Sequence, residues 1–148
     1  MPKIDMQQIV PKLGSGYPDP FRSTAMQLSK FALGRAAGLE DFGVNLVRLP
    51  AGEWSSQRHW HSHEDEFVYV LEGELTLITD AGEQVLSAGS CAAFKKNVPD
   101  GHHLINKSER DAVYLEVGSR HDVDVCEYPD IDMRALPNGL VHKDGTPY

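Results

Sequence analysis

Histidines gather in two short windows of this sequence, His59-Trp60-His61-Ser62-His63 and His102-His103, each at the edge of a segment patterned as a strand. On a strand the side chains at i and i+2 share a face, so His59 and His61 can point the same way. Glu66 lies at odd spacing from both and joins them only if the chain bends or bulges in between. The polar stretch Ser62-His63-Glu64-Asp65 can supply that bend. Neutral imidazoles plus one carboxylate suit a borderline divalent cation. Three histidines with one glutamate would leave one or two positions open at a five- or six-coordinate ion, where a substrate or dioxygen could bind. The competing reading is solvated polar residues along a half-buried strand. His63, which shares a face with His59 and His61, and His103, which should point opposite to His102, are ambiguous between the two readings.

The elements that must position these residues are short strands. From Phe42 onward, apolar runs are cut by turn residues: Phe42–Leu49 before Pro50-Ala51-Gly52, Phe67–Leu71 before Glu72-Gly73, Leu75–Thr79 before Asp80-Ala81-Gly82, and Glu83–Leu86 before Ala88-Gly89. His102–Asn106 and Ala112–Val117 continue the pattern, and no sustained helical stripe interrupts it. This spacing predicts an all-β sandwich or barrel with little helix. Glu72-Gly73 and Asp80-Ala81-Gly82 read as tight hairpins, which would make 66–71, 74–79 and 83–86 an antiparallel meander. Proline and glycine breakers make residues 1–41 an N-terminal arm, and the polar, proline-marked residues 118–148 a C-terminal extension wrapped over a core at about 42–117. The 148 residues fit a single domain.

The stretch from Gly52 to Gly73 closely resembles the first motif of the cupin superfamily. His59 and His61 are followed by four residues, Glu66, six residues and Gly73, and six residues separate Gly52 from His59 where five are usual. The second motif opens at Gly89 and closes with His102, three residues and Asn106. Its middle departs: Lys95 stands where the family has proline, Asn97 where it has glycine, and the loop to His102 is two residues longer. Asn is a tolerable substitute for glycine in a left-handed turn. The fifteen residues between Gly73 and Gly89 match the short linkers of small single-domain bacterial cupins. The resemblance implies a double-stranded β-helix, a jelly-roll-like barrel, with His59, His61, Glu66 and His102 as ligands of one divalent metal ion (Fe, Mn, Zn or Ni). Asn106 would shape the second motif without binding metal. It also implies a homodimer and an enzyme acting on a small-molecule substrate, an organic acid or sugar derivative, by dioxygenase, decarboxylase or isomerase chemistry. The alternative is a non-catalytic binding or sensing module. Metal occupancy should fall as pH drops below about 6, because the imidazoles must be neutral to bind.

Other residues carry weaker signals. Trp54 and Trp60 read as packing residues, Arg48 and Arg58 as possible carboxylate clamps, and Tyr69 and Tyr114 as wall residues or pocket hydroxyls. The acidic run Asp122, Asp124, Glu127, Asp130 and Asp132 reads as solvated surface, and Cys91 as a small buried side chain. A net charge of -8 argues against a nucleic-acid partner. No stretch is apolar and long enough for a membrane span, no leader pattern opens the chain, and two cysteines suit a reducing compartment, so a cytoplasmic location is expected. Phosphate-cradling glycine loops, Gly-x-Ser-x-Gly elbows and Cys-x-x-Cys pairs do not occur.

Overall fold

The computed structural model describes residues 3–148. Its strands are β1 (Lys12–Leu13), β2 (Ser29–Ala32), β3 (Phe42–Leu49), β4 (Trp60–His61), β5 (Glu66–Glu72), β6 (Glu74–Thr79) and β7 (Gly82–Ser87), followed by β8 (Cys91–Phe94), β9 (His103–Ile105), β10 (Ala112–Ser119), β11 (Cys126–Tyr128), β12 (Met133–Leu136) and β13 (Gly139–Val141). Among the described residues, helix is confined to α1 (Leu33–Ala36) and a 3-10 turn at Met6–Gln8, and no helix is long and apolar enough to cross a membrane.

The strands assemble into three antiparallel sheets, with orders β1-β2-β3-β10-β5-β8, β13-β12-β11-β4 and β7-β6-β9. The all-β class is as expected. The sheets pack as a sandwich, and among the described residues no closed barrel forms. Pleating puts alternate residues of the six-stranded sheet on its inner face. Across it run the partners Lys12↔Lys30, Lys30↔Val47, Val47↔Tyr114 and Tyr114↔Val70, and one row further Asn45↔Glu116 and Glu116↔Val68. Val47, Leu49, Val68, Val70 and Tyr114 of this face join Leu75, Leu77, Leu86 and Leu104 of the three-stranded sheet in the main apolar core.

The expected meander is corrected. Of these three strands only β6 and β7 form a hairpin, whereas β5 pairs with β8 and β10 and, among the described residues, has no ladder with β6. Gly73, at φ 76°, turns the chain out of one sheet into the other; a Cβ there would stand 2.9 Å from the Asp111 carbonyl oxygen, so glycine is required by closeness as well as by φ. Both arms carry strands. β1 and β2 extend the chain's own six-stranded sheet, and the C-terminal β11, β12 and β13 pair with β4 around a second core of Cys126, Tyr128 and Met133. That four-stranded sheet ties the His59–His61 segment to the C-terminal extension, through Cys126↔His61 and Glu127↔Trp60.

Candidate metal centre

Glu66 begins β5, on the same face as Val68 and Val70, and so points between the sheets. Its ladder partner Phe94 on β8 faces the same way. His59 and His102 meet as an isolated antiparallel bridge, each backbone N–H donating to the other's carbonyl at 3.1 and 2.8 Å, which brings the two histidine windows side by side. His61 follows His59 by two residues and shares its face. The bend expected between His61 and Glu66 is present as the irregular segment 62–65.

The result is a convergence on one oxygen. Oε2 of Glu66 lies 2.8 Å from His102 Nε2, 3.5 Å from His59 Nε2 and 3.6 Å from His61 Nε2. Ligand atoms about 2.0–2.2 Å from a common ion and at right angles to one another stand about 3 Å apart; ligand atoms of His59, Glu66 and His102 all lie within 4.8 Å of one another, whereas His61 groups in this way with His59 and Cys126 and with Glu64 and Asp124. The four residues all line one cavity of about 390 Å³.

The far sides of two rings fix which nitrogen is available. His59 Nδ1 lies 2.9 Å from the Gln57 carbonyl oxygen, to which it donates, and His61 Nδ1 lies 2.6 Å from Asp124 Oδ2. A ring that donates from Nδ1 presents the Nε2 lone pair, and a carboxylate behind the ring makes that lone pair more basic. His102 differs: its buried Nδ1 has no partner among the described residues, and its plane is set by Phe94, stacked at 3.5 Å between centroids and 1° between planes. The donor set, three imidazoles and a carboxylate with two of the rings held from behind, fits a divalent cation.

Burial alone would raise the Glu66 pKa, but the hydrogen bonds from His102 and His59 and the charge of His59 outweigh it and hold the carboxyl well below its ordinary range. Burial tends to neutralise His59, yet the Glu66 hydrogen bond and charge carry its pKa above the usual value. At His102 burial dominates and the ring is held neutral. Without a cation the carboxylate therefore stays charged and draws the nearby rings toward it.

The other candidates fall elsewhere. His63 is exposed, with its ring near His121 (centroids 5.2 Å apart) and its Nδ1 beside the Ser62 hydroxyl. His103 does turn away from Glu66: its Nδ1 donates to the Ser56 carbonyl at 3.0 Å and Trp54 packs edge-on against it, although its ring still lines the cavity. Arg48 is on the outer face with Asp111, and Arg58 clamps Asp130 through two bonds of 2.7 and 2.8 Å while also meeting Asp80, so neither acts as a clamp in the cavity. Tyr114 is a wall residue, buried and cavity-lining, whereas Tyr69 faces out. Cys91, expected to be buried, is exposed because its partner Tyr69 belongs to the outer face of the sheet.

Three residues escaped the sequence reading. Asp124, taken for solvated surface, is largely buried against His61, and its Oδ1 accepts the His63 backbone N–H at 2.8 Å. Cys126 is buried with a sulfur within 4.8 Å of ligand atoms of both His59 and His61, and Phe94 orients His102. The alternation Val123-Asp124-Val125-Cys126 is the one sequence signal that could have marked Asp124 as an inward position on an ordered segment.

The sequence model described as Cupin domain (Cupin_2) matches residues 45–118. A solved structure described as a sugar phosphate isomerase of the cupin superfamily from Silicibacter pomeroyi is 42% identical, with 99% of this chain and 96% of that one covered at a TM-score of 0.93. A putative sugar phosphate isomerase from Acidithiobacillus ferrooxidans is 29% identical over 82% of this chain and 80% of its own, at a TM-score of 0.74. A predicted oxalate decarboxylase from Thermotoga maritima shares the fold at 20% identity and a TM-score of 0.65, with 80% of this chain and 99% of that one covered. No curated protein matches this chain.

Proposed function

This chain belongs to the cupin family, and from that premise we propose that it holds one divalent cation on His59, His61, Glu66 and His102 and isomerises a small phosphorylated sugar. The observation that carries the reading is the approach of three imidazole Nε2 atoms to one Glu66 oxygen, at 2.8–3.6 Å, inside a cavity large enough for a small metabolite. The choice of sugar phosphates follows the description of the Silicibacter pomeroyi protein, whose likeness runs nearly end to end. A bound cation would supply Lewis acidity, polarising a carbonyl and the adjacent hydroxyl of the substrate.

The protein's own groups supply the rest. Asp124 and the Gln57 carbonyl keep His61 and His59 in the tautomer that offers Nε2. Glu116 is the cavity's second carboxylate, with Oε1 held at 2.9 Å by both Lys30 Nζ and Asn45 Nδ2, and in this reading it carries a proton between neighbouring substrate carbons. Phe94, Val68 and Leu104 keep the wall beside the imidazoles apolar. A homodimer in the cytoplasm completes the proposal, and light scattering of the purified protein checks the assembly.

The test combines elemental analysis of the purified protein with proton NMR of a panel of sugar phosphates in deuterium oxide. The reading expects about one equivalent of metal per chain. It also expects interconversion of an aldose and a ketose phosphate, with solvent deuterium entering beside the carbonyl, lost on Glu66→Gln. Bound metal with no turnover across the panel would make the protein a binding module.

A further inference from the structure

Two lysines line the cavity that holds the metal-ligand candidates, and a cation site gives no reason for them. Lys12 and Lys30 are the basic residues among those lining it. They are direct cross-strand partners of β1 and β2, on the same face of the sheet. Like charges placed opposite one another in an antiparallel pair repel, and in a chain whose net charge is -8 such a pairing is conspicuous. Lys30 is relieved by Glu116 at 2.9 Å. Lys12 is not: among the described residues its ammonium donates to the Ser15 carbonyl at 3.4 Å and forms no ion pair, and it curls within 3.9 Å of the place a Cβ on Gly16 would occupy.

We propose that Lys12 and Lys30 form the receptor for an anionic terminus of the substrate, a phosphate or a carboxylate, so that the substrate spans from the Glu66 end of the cavity to the N-terminal arm. The proposal rests on the metal-centre reading for the other end of the substrate. Charge supports it: Glu66 and Glu116 balance the two lysines, and a divalent cation at Glu66 would leave the cavity two charges positive, the amount a phosphate dianion neutralises. Position supports it as well. Glu116 sits opposite Val68, one strand across and two residues along from Glu66, a Cα separation of roughly 8 Å from strand spacing and rise. Lys30 Nζ touches Glu116, so this ammonium reaches the strand next to the one that carries Glu66. The N-terminal arm thereby becomes the element that selects charged substrates over neutral ones.

Isothermal calorimetry tests this with inorganic phosphate and, separately, malonate as probes on the protein as purified, with metal content recorded for every variant. Lys12→Ala is expected to weaken the bound anion about tenfold, the loss of one charge-assisted contact, while metal content stays unchanged. Lys12→Arg should restore most of the binding, and Lys143→Ala, which removes a lysine on the C-terminal extension, should leave it as it is. Tighter phosphate than malonate assigns the terminus as phosphate, and the reverse order assigns it as carboxylate. Binding of both probes unaltered in Lys12→Ala and in Lys30→Gln, or no binding of either probe to the wild-type protein, overturns the receptor. Lysine-dependent binding to a protein that carries no metal would instead overturn the metal reading and leave the receptor standing.

Discussion

Replacing Asp124 by Asn isolates the part of the site that lies behind the ligands. Asp124 Oδ2 stands 2.6 Å from His61 Nδ1, while Oδ1 accepts the His63 N–H at 2.8 Å and the Ser62 hydroxyl at 3.3 Å. Asn retains one oxygen for the backbone N–H but removes the negative charge that raises the basicity of the ring, and its amide can force His61 into the wrong tautomer. Loss of a carboxylate behind a ligating imidazole typically costs 10–100-fold in metal affinity, about 1.4–2.7 kcal/mol. Because the Asp124 side chain is only 11% exposed, solvent would screen little of this effect. Competition against a chromophoric chelator, at fixed pH, gives the dissociation constants of Asp124→Asn and wild type. Thermal unfolding of both after metal removal separates affinity from folding. An affinity within twofold of wild type, with the metal-free proteins equally stable, would refute the idea that Asp124 orients and activates His61.

Acid should destabilise the metal-free fold through its depressed carboxylates. Burial would raise the Asp124 pKa, but hydrogen bonds from His61 and the His63 N–H prevail and lower it, and at Asp130 the Arg58 guanidinium does the same. The unfolded chain then binds protons at a higher pH than the native one. This stabilisation is present above the ordinary aspartate pKa of about 4 and lost as pH falls through the lower native values; melting temperatures in chelator should fall as pH drops below about 4 and change little from these groups above it. In the loaded protein, metal retention followed by elemental analysis should decline below about pH 6 as protons compete for the imidazoles. Gly73→Ala places a methyl group 2.9 Å from the Asp111 carbonyl oxygen at a φ of 76°, and should cost roughly 1–3 kcal/mol, read as a melting temperature lower by several degrees. Asn97 adopts φ 58°, so Asn97→Gly should be nearly neutral by the same assay and Asn97→Val clearly destabilising, the reverse of the order expected on an ordinary strand.

The contrast between what the sequence disclosed and what it hid has a simple cause, the distance along the chain over which each constraint acts. His59 and His61 are two residues apart, and a strand's pleat alone puts them on one face. The left-handed turn at Asn97 could likewise be read from the residue that stands where a glycine is usual. Asp124 could not, because it reaches His61 from 63 residues away, and an acidic residue in an acidic run looks like surface until the ladder of β4 with β11 folds it inward. The same reasoning explains the misplaced meander. Glu72-Gly73 has the residues of a hairpin, but whether two successive strands pair or part depends on the competing partners, here β8 and β10, and no local pattern records that competition. Composition likewise does not record which face of β8 Cys91 occupies, and its exposure follows from that face alone.

Anomalous diffraction from crystals of the protein purified without chelator tests the central claim most directly. The account predicts one peak inside the cavity, bonded to the Nε2 atoms of His59, His61 and His102 and to the Glu66 carboxylate. A cation held instead by His61, Glu64 and Asp124, or a cavity without any peak at full occupancy of the lattice, would contradict it.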